Sequence, residues 1–170
     1  MSVSTLNTEN KIVAFTGHRS YRGAADEQLR DIIVRLYERG ARTFRVGMAE
    51  GFDIHAAEAV IALMEHHADI ILEAHIPWPE FSRHFDTEVR MRYEQILRKV
   101  TITRYVSRYY APDIFYRRND MLVEGADVLV AWCQSKRSGT GYTVGRAKRL
   151  GCEVINLYEA GLFDTITHAF

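Results

Sequence analysis

Cysteine is scarce in this chain: of 170 residues only Cys133 and Cys152 carry thiols, in segments that read as strand interior or strand edge. Two thiols rule out a disulfide framework and cannot alone supply a structural zinc site. Proline occurs three times and low-complexity tracts not at all, which excludes collagen-like, mucin-like and disordered chains. Charge of one sign is also missing. Lys+Arg and Asp+Glu both number 22, for a net charge of +0, whereas a protein that coats duplex DNA carries a basic excess. No apolar run reaches about 18 residues, and Met1–Asn10 is polar, without a basic and apolar leader block. A soluble, cytoplasmic protein with no membrane partner is expected. Neither GxGxxG, GxxxxGK nor HExxH occurs, so the dinucleotide fingerprint, the P-loop and that zinc motif are absent, and no cofactor or metal is expected.

What is present fits one globular domain. Apolar residues make up 47%, charged 26% and aromatic 11% of the chain, and a domain of this length buries about 68–70% of its unfolded surface. Short apolar runs alternate with stretches of helical periodicity, the pattern of an α/β layered domain with a mainly parallel sheet. Strands are predicted at Ile12–Thr16, Thr43–Val46, Asp69–Ile76, Val100–Val106, Val128–Ala131 and Glu153–Leu157. Leu29, Ile32, Ile33 and Leu36 mark one helix, and Ala57, Val60, Ile61 and Met64 another. Phe81, Phe85, Val89, Tyr93 and Ile96 predict a single long helix with one apolar stripe. Pro112 suits the N1 position of the next helix, where a missing amide hydrogen costs nothing. Thr143–Leu150 reads as a last short helix, with Val144, Ala147 and Leu150 toward the sheet.

A parallel sheet aligns its strand C-termini along one edge, where ligands bind at the point of reversed strand order. Three polar, glycine-bearing turns fall there. Gly17-His18-Arg19 follows the first strand; its glycine lets backbone amides approach an anion, and Arg19 can clamp it. Gly47 through Asp53 (GMAEGFD) follows the second. Gly47 and Gly51 flank a tight turn, Asp53 is placed as the N-cap of the next helix, and Glu50 is the best general-base or hydroxyl-binding candidate. His55 reads as a packing or capping residue. In Gly139-Thr140-Gly141, exposed amides and the Thr140 and Thr143 hydroxyls form an anion nest ahead of a helix. On the helix near Ile114, Arg117 can pair with Asp113 and Asp120. Arg118 falls among apolar neighbours, and a buried arginine there wants an anion or ligand. Tyr109, Tyr110, Phe115 and Tyr116 offer a stacking surface for a base, or equally core or subunit interface.

Charge is uneven. Arg98 to Arg118 holds six basic residues and one acid, and Ser135–Gly151 five basic residues and none, while Glu50 to Glu88 holds nine acids and one base. Such asymmetry can focus a phosphorylated ligand toward one side of a cleft.

The segments IVAFTGHR, GMAEGFDIHAAEAV, RRNDMLVEGADVLVAW and SGTGYTVGRAKRLG together resemble the SLOG superfamily, and within it the small YpsA-like branch, over roughly Lys11 to Tyr158. The resemblance implies a Rossmann-like three-layer sandwich, and the chain length and polar start lead us to expect 11–170 as a single domain behind a flexible tail at 1–10. The superfamily includes the DNA-processing protein of natural transformation and the cytokinin-activating phosphoribohydrolases. GMAEGFD is similar to the SG-x-A-x-G-x-D segment that lies beside the nucleic-acid site of the DNA-processing protein. By position, Gly17 and Arg19 resemble the first loop, Gly47, Gly51 and Asp53 the second, and Ser138, Gly139 and Thr140 the GGT phosphate loop. The phosphoribohydrolases carry PGG-x-GT-x-x-E. Here Gly141, Tyr142, Thr143 and Val144 follow Thr140, no glutamate occupies the matching place, and Ser138 replaces the first glycine. Arg118 matches the upstream arginine while its acid partner is missing.

The leading expectation is a binding domain for a nucleotide or phosphorylated nucleoside or sugar, acting as a sensor or processing module. The second is a hydrolase of an N-glycosidic or phosphoester bond, for which Glu50 with Arg118 is the catalytic pair to nominate. The third is single-stranded nucleic-acid binding through the basic, tyrosine-bearing stretch. A homo-oligomer is expected from the apolar Phe81–Ile96 stripe and the aromatic cluster.

Overall fold

The computed structural model describes residues 10–158; residues 159–170 and, apart from Asn10, the tail expected at 1–10 lie outside the described residues. Runs rich in Val, Ile, Leu and Phe form strands that helices cover on both sides, the usual setting of a parallel sheet. They are β1 (Lys11–Gly17), β2 (Ala41–Val46), β3 (Ile71–Ile76), β4 (Ile102–Tyr105), β5 (Val128–Trp132) and β6 (Glu153–Asn156). The helices are α1 (Asp26–Glu38), α2 (Phe52–Met64), α3 (Thr87–Leu97), α4 (Ile114–Val123) and α5 (Gly139–Arg149). The six strands lie in the order β4-β3-β2-β1-β5-β6, and every pair is parallel. This is the Rossmann-like three-layer sandwich. The chain winds outward from β1 to β4, then returns to place β5 on the other side of β1.

Register assigns the two faces. Val13 stands beside Phe44 and Val128, and Ala14 beside Arg45 and Leu129. Val13, Phe15, Phe44 and Leu72 therefore meet Leu29, Ile32, Leu36 and Val60 of α1 and α2 in the larger core. Ala14 and Leu129 meet Leu122, Val123 and Ala147 of α4 and α5 in the smaller one. Each large aliphatic or aromatic side chain so buried contributes about 1.5–3 kcal/mol. Beyond the smaller core, the same face becomes polar over β2 to β4. The Glu73 carboxylate lies 2.9 Å from His75 Nε2, 3.3 Å from Arg45 Nε and 3.7 Å from Arg104 Nε. Arg45 also donates to the carbonyls of Leu122 and Glu124, tying the end of α4 to β2.

Several elements depart from expectation. The long helix expected over Phe81–Ile96 is broken: a 3-10 turn at Phe81–His84 ends in extended backbone at Phe85 (φ −70°, ψ 147°), and α3 starts behind Asp86. The break sets the Phe85 ring between Phe81 and Tyr93, at centroid distances of 5.3 and 5.6 Å. Phe81, Tyr93 and Ile96 are buried within the chain, so these apolar positions serve the core. Pro112 precedes α4 instead of opening it, because a turn from Ile114 N–H to the Ala111 carbonyl comes first. Helix α5 begins a full turn before Thr143, capped by Ser138, whose Oγ accepts from Gly141 N–H at 2.9 Å. Thr140, Thr143 and Ala147, at i, i+3 and i+7, form its buried face, Val144 packs beside them against the smaller core, and Leu150, at the C-cap, is exposed.

Candidate functional site

A cleft of about 320 Å³ opens at the C-terminal edge of the sheet, over the reversal between β1 and β5. Its walls come from Thr16 to Arg19 after β1, Ala49 and Asp53 around the start of α2, Phe115, Arg118, Asn119 and Leu122 of α4, and Ser138 to Thr140 at the start of α5. The three turns singled out in the sequence thus converge on one space.

The first two turns interlock through glycine. A Cβ on Gly17 would fall 2.3 Å from Phe52 Cβ, so this residue is small to admit the first side chain of α2. Gly51 has φ +80°, and a Cβ there would lie 2.5 Å from the Arg19 carbonyl. Phe52 N–H donates to the His18 carbonyl at 3.3 Å. The His18 ring then reaches the third turn, where Nε2 accepts from Gln134 N–H at 2.8 Å, and packs edge-on to Trp132. Burial holds the His18 pKa below its usual value, and the Gln134 contact leaves the neutral ring's proton on Nδ1. Arg19 places its guanidinium carbon 5.9 Å from the Phe115 ring centre.

Asp53 is not the helix cap that its spacing predicts. Gly51 fills that position, α2 starts at Phe52, and the Asp53 carboxylate turns back to accept from Ala49 N–H at 3.0 Å. The turn that makes this possible holds Met48 at φ 61°, a conformation that costs a side-chain-bearing residue about 1–2 kcal/mol. Asp53 is only 5% exposed. Burial pushes its pKa up to about 6, against the opposing pull of Arg118, Ala49 N–H and Arg19. Arg118, 7% exposed, donates from Nη1 to the Gly47 carbonyl at 2.5 Å and from Nε to Asn119 Oδ1 at 2.8 Å. Burial lowers its pKa, and the Asp53 charge resists that. Arg117 lies exposed 4.0 Å from Asp113.

At the start of α5 the glycines divide the work. A Cβ on Gly139 would meet nothing within 4 Å, so this residue faces open cleft. A Cβ on Gly141 would lie 2.4 Å from the Lys136 carbonyl, which makes Gly141 a packing residue behind the loop. The Gly139 and Thr140 amides find no acceptor among the described residues. Thr140 lines the cleft. The Thr143 hydroxyl, expected to share the anion nest, is fully buried and donates to the Gly139 carbonyl at 3.1 Å.

Of the residues read from the sequence, Gly17, His18, Arg19, Asp53, Arg118, Ser138, Gly139 and Thr140 line the cleft. Gly47, Gly51 and Gly141 support it from behind, and Glu50 sits half-buried on its turn, outside the lining. Asn119, which orients Arg118, was not legible: an asparagine beside an arginine on a helix reads as surface. His55 bonds to Asp26 through Nδ1 at 3.0 Å. A larger groove of about 760 Å³ lies on the far flank of α5, toward β6, away from the strand reversal. Among the described residues no cluster of three His, Cys, Asp or Glu side chains is placed to hold a metal, and no helix is long and apolar enough to cross a membrane.

The model of the YspA SLOG family matches residues 11–153. A UPF0398 protein of Bacillus cereus (strain G9842) is 24% identical over 165 residues, covering 88% of each chain. Among solved structures, DNA processing protein A from Helicobacter pylori, described for its single-stranded DNA binding mode, is similar with a TM-score of 0.64 at 20% identity, over 85% of this chain and 63% of that one. DNA processing protein A from Streptococcus pneumoniae gives 0.62 at 19% identity, over 95% of this chain and 56% of that one. The chain therefore spans less than two thirds of either DNA processing protein, and at these identities the likeness is one of fold.

Proposed function

The chain belongs to the YspA SLOG family, and from that premise we propose that its cleft binds one phosphorylated nucleoside or sugar phosphate. The observation that carries this reading is the pair of unengaged amides, Gly139 and Thr140, opening into the space that Asp53 and Arg118 also line. Helix N-termini hold phosphate through such amides and the helix dipole. Arg19, above the Phe115 ring, adds a cation at the mouth of the site. The sugar lies along Asp53 and Arg118, and the base against the Phe115 side. About 320 Å³ stands at the small end of ligand sites, which favours a single mononucleotide over a dinucleotide. Isothermal titration against nucleoside mono- and diphosphates, cyclic nucleotides and ADP-ribose tests the reading. At least one micromolar ligand is expected; nothing tighter than millimolar contradicts it.

A second reading, single-stranded nucleic-acid binding, is favoured by one observation. Tyr109 and Tyr110, before α4, and Tyr116, in its first turn, are exposed, with Arg108 and Arg117 next to them in the chain. Bases stack on such rings above cationic grooves. Affinity for a labelled oligonucleotide that falls steeply with salt supports it, and a flat response rejects it. The same tyrosines also offer a surface for self-association, which light scattering reads directly.

A further inference from the structure

Asp53 and Arg118 are buried and opposite in charge, yet no direct ion pair joins them; they interact across the Cα of Gly47. A Cβ on Gly47 would stand 3.0 Å from Asp53 Oδ2 and 3.2 Å from Arg118. Each group is secured on its protein side only. Asp53 Oδ2 takes the Ala49 amide, while Arg118 Nη1 and Nε hold the Gly47 carbonyl and Asn119. Asp53 Oδ1 and Arg118 Nη2 have no hydrogen-bond partner among the described residues, and neither belongs to the sealed polar atoms of the interior. Both residues line the cleft. The result is an ionised acceptor and an ionised donor, each with unused capacity, facing the ligand space.

Burying two charges is costly, and direct pairing is the ordinary remedy. A pair left open toward a cleft selects what can close it. Phosphate accepts from Arg118 but has no proton for Asp53 at neutral pH; a cation is repelled by Arg118. A hydroxyl does both, donating its hydrogen to one partner and accepting at its oxygen from the other. Resting on the nucleotide reading above, we propose that Asp53 and Arg118 together take one sugar hydroxyl, so that the site selects ribonucleotides over their deoxy counterparts.

The test is calorimetry with adenosine and guanosine 5′-monophosphates, their 2′-deoxy and 3′-deoxy forms, ribose 5-phosphate and 2-deoxyribose 5-phosphate. Loss of the bridging hydroxyl is expected to weaken binding about tenfold or more, since both of its partners are charged. The sugar phosphates should show the same preference, because the base is not involved. Asp53→Asn is expected to shrink the preference to within about threefold while 2′,3′-dideoxy ligands keep their affinity. Should that variant fail to fold, the pH dependence of the wild type replaces it. The preference should be full at pH 8 and fade below about 6 as Asp53 takes a proton, with Arg118 and Arg19 the charged groups facing it. Ribo and deoxy ligands bound within twofold of each other overturn the hydroxyl bridge and leave nucleotide binding standing. No binding by any of them overturns both.

Discussion

Replacing Gly139 with valine separates binding from folding. Gly139 is the first residue of α5, and a Cβ added there meets nothing within 4 Å. Valine is a slightly better helix residue than glycine, so stability should stay within about 0.5 kcal/mol of wild type and Tm within about 2 °C. Its methyl groups, however, occupy the space in front of the Gly139 and Thr140 amides. A hydrogen bond to a charged phosphate is worth about 1.5–3 kcal/mol. Losing one such bond weakens binding roughly 10- to 100-fold. Gly141→Val is the matched control, only half a turn away. Its Cβ would lie 2.4 Å from the Lys136 carbonyl oxygen and 2.5 Å from the carbonyl carbon, where only backbone can yield. Overpacking of that kind costs about 1–3 kcal/mol, or about 2–12 °C in Tm for a chain of this size. Thermal denaturation and titration calorimetry on both variants read the contrast. If Gly139→Val binds mononucleotides like wild type, or melts as early as Gly141→Val, the open-cleft reading of this helix start is refuted.

Gly17→Ala should lower Tm by several degrees although it adds a single methyl, because its Cβ would fall 2.3 Å from Phe52 Cβ; an unchanged Tm contradicts that packing. Asn119→Ala strips Arg118 Nε of its acceptor and should destabilise the fold by about 1–3 kcal/mol and weaken nucleotide binding together, as read by denaturant titration and calorimetry. Two groups should tilt stability with pH in opposite senses. The His18 pKa lies below 6.5 in the folded chain, so its contribution is present above 6.5 and lost as pH falls through the folded value. Asp53 is raised from 3.8 to about 6, so its contribution is present below 3.8 and lost as pH rises through 6. Comparing Tm from pH 4 to 8 in His18→Ala and Asp53→Asn should remove one slope each; parallel curves for all three proteins contradict both assignments.

The sheet and the three turns were legible because local chemistry writes them. Apolar runs end in glycine and polar residues, and that punctuation survives without knowledge of the rest of the chain. What escaped depends on partners distant in sequence. Gly17 answers to Phe52, which no window around Gly17 contains. Asp53 looked like a cap because Asp is a common one, but the positive φ at Gly51 starts α2 earlier and turns the carboxylate inward. Thr143 reads as a ligand hydroxyl beside a glycine turn, but α5 starts at Gly139, which makes Thr143 a helical residue on the same buried face as Ala147. The apolar stripe from Phe81 to Ile96 has true helical spacing, yet the ring contacts of Phe85 with Phe81 and Tyr93 accompany a break that spacing alone does not register. Glu50 reads as the best general-base candidate of its turn, yet the buried Asp53 is the carboxylate that lines the cleft with Arg118.

The most direct measurement is a crystal structure with adenosine 5′-monophosphate soaked in. Its phosphate is expected within hydrogen-bond distance of the Gly139 and Thr140 amides, with a sugar hydroxyl between Asp53 and Arg118. A phosphate seated instead among Lys136, Lys148 and Arg149 on the far flank of α5, or a cleft left empty at millimolar nucleotide, contradicts it.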